Sequence, residues 1–123
     1  MQVAGIYSAK EGKRGNVKEI IDVQKVIQVD LLHTEYSIFY LYTPLCGTCQ
    51  IASPMVTMLE QLFPSVVFYR VNINTHKKLA QDWKITSVPC LIIYQRDREV
   101  ARKYAFESVP DLYSWLQSLS IFQ

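Results

Sequence analysis

Residues 37–50, SIFYLYTPLCGTCQ, join a predicted strand to a predicted helix. The first six residues are almost all apolar or aromatic, which is typical of a short strand buried on both faces. A turn containing proline interrupts this run, and apolar residues then recur at helical spacing over 50–63. Two cysteines, Cys46 and Cys49, therefore lie between the end of a strand and the beginning of a helix.

The same two patterns alternate through the rest of the chain. Further strands are predicted at 19–21, 66–71, 90–94 and 100–104, and further helices at 22–32, 75–83 and 108–119. Strands that alternate with helices indicate parallel βαβ units, whereas the last two strands flank a short polar turn and indicate an antiparallel hairpin. The sequence therefore predicts an α/β fold. The side chains of the 50–63 helix expected to face its core are Ile51, Met55, Met58, Leu59 and Leu62.

Length and composition fit one globular domain. The chain has 123 residues, and half of them are apolar, which is enough to build a single core. Residues 1–16 show no clear period and are interpreted as an N-terminal extension, so the domain is predicted over 17–123. We expect a monomer.

Charge and hydropathy exclude several classes of partner. The net charge is only +2, and no basic stripe suited to nucleic acid is visible. No apolar run approaches the ~20 residues that a membrane span requires. The first 15 residues also lack the apolar segment of a secretory signal, so we expect a cytoplasmic protein.

The cysteine pair is the strongest chemical signal. The first turn of a helix has unpaired N–H groups and a positive dipole end, which stabilise a thiolate. Cys46 is therefore predicted to have a lowered pKa and to attack disulfides, and Cys49 to resolve the mixed disulfide that forms. Gly47, which has no side chain, leaves the approach to Cys46 open. The predicted chemistry is thiol–disulfide exchange.

Two other interpretations of the cysteines remain open. A Cys-x-x-Cys pair is also half of a zinc site, but the chain has no second pair, and His33 and His76 are isolated, so we expect no metal there. Cys90 is a third thiol. It could compete for Cys46, complete a metal or cluster site with Cys46 and Cys49, or simply be a buried core residue.

Four features together resemble the thioredoxin family over residues 19–119. They are the segment 42–49, Pro54 within the following helix, residues 71–74 (VNIN) and residues 87–91 (SVPCL). The resemblance implies a thioredoxin-like fold, in which helices flank both faces of a central mixed β-sheet. It also implies a thiol–disulfide oxidoreductase of the protein-disulfide reductase type that needs no cofactor.

The family pattern also assigns the surroundings of the cysteines. It implies a cis bond between Val88 and Pro89, in a loop that faces the cysteine pair. Residues expected to contact an extended protein substrate are Leu45, Gly47, Thr48, Val88 and Pro89. Expected partners are protein disulfides as substrates and a flavin-containing disulfide reductase as electron donor.

Four positions depart from that pattern. Leu45 stands where the family usually has tryptophan, Thr48 where it often has proline, and Ala105 where it has glycine. Tyr40 occupies the position of a buried acid that is thought to take the proton of the second thiol. A further alternative is a binding module with this fold that meets partners at the Pro89 loop with little turnover.

Overall fold

The computed structural model describes residues 17–19 and 35–119. Within them, five strands form one sheet: β1 (Val17–Glu19), β2 (Tyr36–Tyr42), β3 (Val67–Asn72), β4 (Cys90–Gln95) and β5 (Arg98–Lys103). The α-helices are α1 (Gly47–Leu62), α2 (Lys77–Asp82) and α3 (Val109–Ser118), and a 3-10 helix covers Ile73–Thr75. The predicted extension 1–16 and the predicted helix 22–32 lie outside the described residues.

The sheet is mixed, as expected, with the strand order β1-β3-β2-β4-β5. β3 runs parallel to β1 and β2, and α1 forms the crossover from β2 to β3. β4 is antiparallel to β2, with Cys90 opposite Leu41, and the β4–β5 hairpin has the predicted antiparallel pairing. β2 is the central strand, so its C-terminal end delivers the chain to the start of α1 from the middle of the sheet.

Alternation along the strands divides the core between the two faces of the sheet. On the α1 face, β2 and β4 contribute side chains that pack against α1 and α3; they are Ile38, Tyr40, Leu91 and Ile93. On the opposite face, the α2 face, the intervening side chains pack with Leu79 of α2; they are Phe39, Leu41, Cys90, Ile92 and Tyr94. Helices therefore cover both faces, as the resemblance implied.

Helix α1 differs from its prediction in two ways. It begins at Gly47 instead of residue 50, because Cys46 acts as its N-cap. The predicted apolar face is only partly confirmed: Leu59 is buried and Met55 packs against the core. Ile51 is instead 65% exposed, and Met58 and Leu62 are about half exposed. The buried stripe is Ala52, Val56, Leu59 and Phe63. The predicted stripe and the buried stripe both have helical spacing, and one is displaced from the other by one residue. Spacing alone therefore does not show which of them faces the sheet.

Smaller differences occur at the ends of elements. The helix predicted over 75–83 is divided at His76, whose backbone angles (φ −136°, ψ 54°) are not helical. The edge strand predicted at 19–21 is described over Val17–Glu19. Among the described residues, none of the helices has the length and apolar character needed to cross a membrane.

Candidate functional site

The cysteine pair lies where β2 ends and α1 begins. The turn that joins them is held by Thr43, whose side-chain hydroxyl accepts from the backbone N–H of Leu45 (3.1 Å) and whose carbonyl accepts from that of Cys46 (3.2 Å). Cys46 has extended backbone angles, as N-cap residues do, and its side chain points back at the first turn of the helix. The Cys46 sulfur therefore lies against the first turn of α1.

Two donors of this first turn converge on Cys46. The backbone N–H of Cys49 donates to Cys46 Sγ at 3.2 Å, and the Thr48 hydroxyl lies 3.0 Å from the same sulfur. The Thr48 hydroxyl, together with Cys49, lowers the pKa of Cys46 to about 7 because hydrogen bonds to the thiolate favour the charged form. The half-buried Cys46 side chain is therefore substantially ionised at neutral pH.

Cys49 has the opposite character. Its side chain is buried, and burial raises its pKa to about 11, with the neighbouring Cys46 adding to the rise. Both residues are free thiols in this structure. One helix turn therefore holds an accessible sulfur that ionises readily beside a covered sulfur that keeps its proton.

The loop before β4 faces the Cys46 sulfur. The Val88–Pro89 peptide bond is cis, and the Val88 carbonyl oxygen lies 3.9 Å from Cys46 Sγ. The Val88 side chain packs against the core of the α2 face. This residue therefore presents its backbone, and not its side chain, to the cysteine pair.

A groove of about 390 Å³ opens beside the pair. It is lined by two residues expected from the sequence, Thr48 and Pro89, and by Ile51, Tyr104, Ala105, Phe106 and Glu107. Leu45 is 89% exposed just before Cys46. At Gly47, a Cβ atom would meet nothing within 4 Å, so this position is open to solvent.

Sequence reasoning did not identify most of the groove wall. Ile51 was assigned to the core, and Tyr104, Phe106 and Glu107 carried no recognisable motif. Tyr104 supports the loop from the side, since its hydroxyl accepts from Arg102 Nη1 (3.1 Å) and from the backbone N–H of Thr86 (3.4 Å). Apart from Thr48 and Pro89, only Ala105 of the groove wall is marked by the sequence, as a departure from the family pattern.

Cys90 does not join the pair. Its side chain is fully buried in the cluster on the α2 face, whereas the side chain of the next residue, Leu91, lies on the α1 face. Burial raises the pKa of Cys90 to about 12. The interpretation of Cys90 as a third reactive thiol is therefore wrong, because strand alternation directs its sulfur into the core.

The three-sulfur metal site is also not formed. Across residues 17–19 and 35–119, no group of three or more His, Cys, Asp or Glu side chains is arranged to hold a metal ion. His76 Nδ1 instead lies 3.0 Å from the Asn72 carbonyl oxygen, at the end of β3. The metal or cluster alternative using Cys46, Cys49 and Cys90 is thus contradicted by the geometry.

Solved structures with a similar fold include thioredoxins. Thioredoxin NaTrxh from Nicotiana alata matches with a TM-score of 0.76 at 14% identity, covering 86% of this chain and 94% of that chain. A thioredoxin f2 solved in complex with ferredoxin:thioredoxin reductase matches with a TM-score of 0.73 at 22% identity, covering 85% of this chain and 96% of that chain. These similarities define the fold class: this is a thioredoxin-fold protein.

Sequence comparison identifies the family within that class. The family model described as Thioredoxin matches residues 19–118. Thioredoxin-like protein YusE of Bacillus subtilis (strain 168) is 40% identical over 93 residues, which are 76% of this chain and 88% of that protein. The chain belongs to the thioredoxin family.

Proposed function

We propose that this protein is a thiol–disulfide oxidoreductase of the protein-disulfide reductase type. The observation that carries the proposal is the difference between two thiols in one helix turn. Hydrogen bonds lower the pKa of Cys46 to about 7, and burial raises that of Cys49 to about 11. Because the thiolate is the nucleophile, Cys46 attacks first and Cys49 second.

The reaction has two displacements. The Cys46 thiolate attacks one sulfur of a substrate disulfide, which forms a mixed disulfide and releases the other substrate sulfur as a thiolate. Cys49 then loses its proton and attacks Cys46 Sγ, which forms the Cys46–Cys49 disulfide and releases the second substrate thiolate. Two electrons pass from the dithiol to the substrate, and an external dithiol or reductase returns them.

The groove is the proposed binding site for an extended segment of the substrate protein. Its apolar wall, next to the highly exposed Leu45, suits apolar side chains on either side of the substrate cysteine. We assign substrate contact to Leu45, Gly47, Thr48, Val88 and Pro89. The backbone of Val88 is positioned for this role, since its carbonyl oxygen already faces Cys46 Sγ.

The proposed partners follow from the family. We propose protein disulfides as substrates and a flavin-containing disulfide reductase as electron donor, with the protein acting as a monomer in the cytoplasm. The thioredoxin f2 of similar fold was solved in complex with ferredoxin:thioredoxin reductase, which supports a docking surface for a reductase in this fold. The groove beside Cys46 is the surface that a donor would approach.

Reduction of insulin disulfides by excess dithiothreitol tests the proposal. We expect catalytic amounts of the protein to accelerate the reduction, and Cys46→Ser to abolish the acceleration while Cys90→Ala retains it. A wild-type protein that binds reduced or oxidised insulin without accelerating its reduction would instead support a binding module. Full activity of Cys46→Ser would contradict the assignment of the nucleophile.

A further inference from the structure

A chain of hydrogen bonds ends at the backbone of Cys49. Arg70 Nη1 donates to Ser53 Oγ (3.2 Å), Ser53 Oγ lies 3.0 Å from Tyr40 Oη, and Tyr40 Oη donates to the Cys49 carbonyl oxygen (2.9 Å). The three side chains come from β3, α1 and β2. They therefore connect two neighbouring strands to the first turn of the helix that carries the cysteine pair.

Donor chemistry fixes the direction of every bond in this chain. A carbonyl oxygen can only accept, so Tyr40 uses its single hydrogen on Cys49. The Tyr40 oxygen must then accept from the Ser53 hydroxyl, whose own oxygen accepts from Arg70. The chain thus runs from a permanent cation to the Cys49 carbonyl, and each bond polarises the next. Burial raises the pKa of Tyr40, so the phenol keeps the hydrogen it donates.

Packing holds the chain in place. Tyr40 is fully buried on the α1 face, and Arg70 is its partner in the β2–β3 register. The Arg70 guanidinium lies over the Tyr40 ring at 5.3 Å from its centroid, and the Tyr42 ring stacks on Tyr40 at 5.6 Å. The phenol oxygen has little freedom to leave the Cys49 carbonyl.

Helix α1 lacks one backbone hydrogen bond close to the point where this chain meets it. Pro54 has no N–H, so the carbonyl of Gln50 lacks its helical donor, and the proline ring pushes against the same turn. The turn that carries Cys49 is therefore held by fewer backbone bonds than a regular helix provides. The bond from Tyr40 supplies an additional anchor beside this gap.

We propose that Tyr40, Ser53 and Arg70 are positioning residues for the resolving step, holding the Cys49 turn so that its sulfur reaches the mixed disulfide on Cys46. This inference rests on the proposed function. In that step the Cys49 thiol gives its proton to solvent, its sulfur bonds to Cys46 Sγ, and the bond from Cys46 to the substrate sulfur breaks. The departing thiolate takes the electron pair. Cys46 Sγ is stabilised by Thr48 and by the backbone N–H of Cys49. The first displacement therefore depends on Tyr40, Ser53 and Arg70 only through the position of the Cys49 turn.

A small aromatic disulfide that releases a coloured thiolate separates the two displacements. Mixed with the reduced protein in a stopped-flow instrument, it should release one equivalent as Cys46 reacts and a second as Cys49 resolves. We expect Tyr40→Phe to slow the second phase about tenfold through the lost hydrogen bond. The first phase should slow much less than the second, and its pH midpoint should stay close to that of the wild type. Tyr94→Phe, which removes a hydroxyl on the α2 face, should change neither phase.

A double variant distinguishes positioning from a general loss of structure. Ser53→Ala, a half-buried change to a good helix former, should slow the second phase several-fold. Combining it with Tyr40→Phe should add little, because both remove links of one chain. If Tyr40→Phe does not fold, the rate of the second phase in Ser53→Ala alone tests the positioning role.

The outcomes separate the two proposals. A second phase at wild-type rate in Tyr40→Phe or, where that variant does not fold, in Ser53→Ala overturns the positioning role and leaves the proposed function standing. Equal slowing of both phases also overturns it, since it reflects loss of fold. A wild-type protein that shows no first phase overturns the proposed function, and the positioning role with it.

Discussion

Cys46 and Cys90 lie on either side of the same loop and have opposite properties. The Cys46 sulfur faces the Val88 carbonyl, and Cys90 follows that residue by two positions, yet its sulfur is buried on the α2 face. The pKa of Cys46 is lowered to about 7, and that of Cys90 is raised to about 12. Closeness to the loop therefore does not make a cysteine reactive.

The difference comes from the element that carries each residue. At the start of a helix, the next residues turn their N–H groups and a hydroxyl toward the N-cap sulfur, so donors accumulate around it. In a central strand, backbone groups are used by neighbouring strands and side chains alternate between two packed faces. A thiol in such a strand is buried among mostly apolar side chains, and desolvation keeps it protonated.

The largest effect is expected from removing the resolving thiol, which should show that Cys46 reacts with substrate and Cys90 does not. Cys49→Ser should trap mixed disulfides with substrate proteins, because Cys46 can still attack but nothing releases the product. The measurement is a non-reducing gel of protein incubated with oxidised insulin, followed by mass spectrometry of the adduct. The matched control, Cys90→Ser, keeps the resolving thiol and should accumulate no adduct. Adducts formed through Cys90 in the Cys49→Ser protein would break the comparison.

Alkylation measures the same contrast in the reduced wild-type protein. At pH 7, Cys46 should react with iodoacetamide orders of magnitude faster than Cys90, because only the thiolate reacts and burial also blocks access. Its rate should rise with pH and reach half of its plateau near pH 7, since a lowered pKa ionises the thiol earlier. Peptide mapping by mass spectrometry identifies each product. Cys90 should react only after unfolding, and labelling of Cys90 in the folded protein would contradict its burial.

The fold was largely predictable from the sequence because the inner strands β2 and β4 are short and apolar and the helices α1 and α3 are amphipathic. Ser37 to Tyr42 could be assigned as a buried strand from its residues alone. The inner face of α1 could not, since Ile51 and Ala52 begin apolar stripes of the same period. Which stripe faces the sheet is decided by the angle at which the turn after β2 delivers the helix, and periodicity does not contain that angle.

The candidate site was predictable where one local segment builds it. Cys46, Thr48 and Cys49 belong to a single strand–helix junction, and their neighbourhood follows from chain geometry. Tyr104 and Phe106 reach the groove from the loop after β5, so only the assembled sheet brings them there. The face of the sheet toward which the Cys90 side chain points depends on the register of β4. A shift of one residue would move that side chain to the opposite face.

A smaller effect is expected from the spacer between the cysteines. Thr48→Val keeps the shape of the side chain but removes the hydroxyl that contributes most to lowering the pKa of Cys46. The pKa should move up toward its ordinary value, so at pH 6 a smaller thiolate fraction remains and alkylation slows several-fold. Thr48→Ser retains the hydroxyl and should stay near wild type. An unchanged pH midpoint in Thr48→Val would mean that the Cys49 N–H alone stabilises the thiolate.

The smallest effect is expected from adding one carbon atom at the start of α1 and, for comparison, one in the core around Cys90. At Gly47 a methyl group meets open space and alanine favours the helix, so Gly47→Ala should raise the free energy of unfolding by up to about 1 kcal/mol. Val71→Ile adds one carbon to the closed core that holds Cys90, and overpacking should lower that free energy by about 1–3 kcal/mol. Urea unfolding of both variants measures the two changes in the free energy of unfolding.

The rate at which the protein reduces a small disulfide should stay within about twofold of wild type in Gly47→Ala, as for other exposed substitutions. A destabilised Gly47→Ala would show that the start of α1 is as closely packed as the core, and the contrast between the two regions would then rest on charge alone.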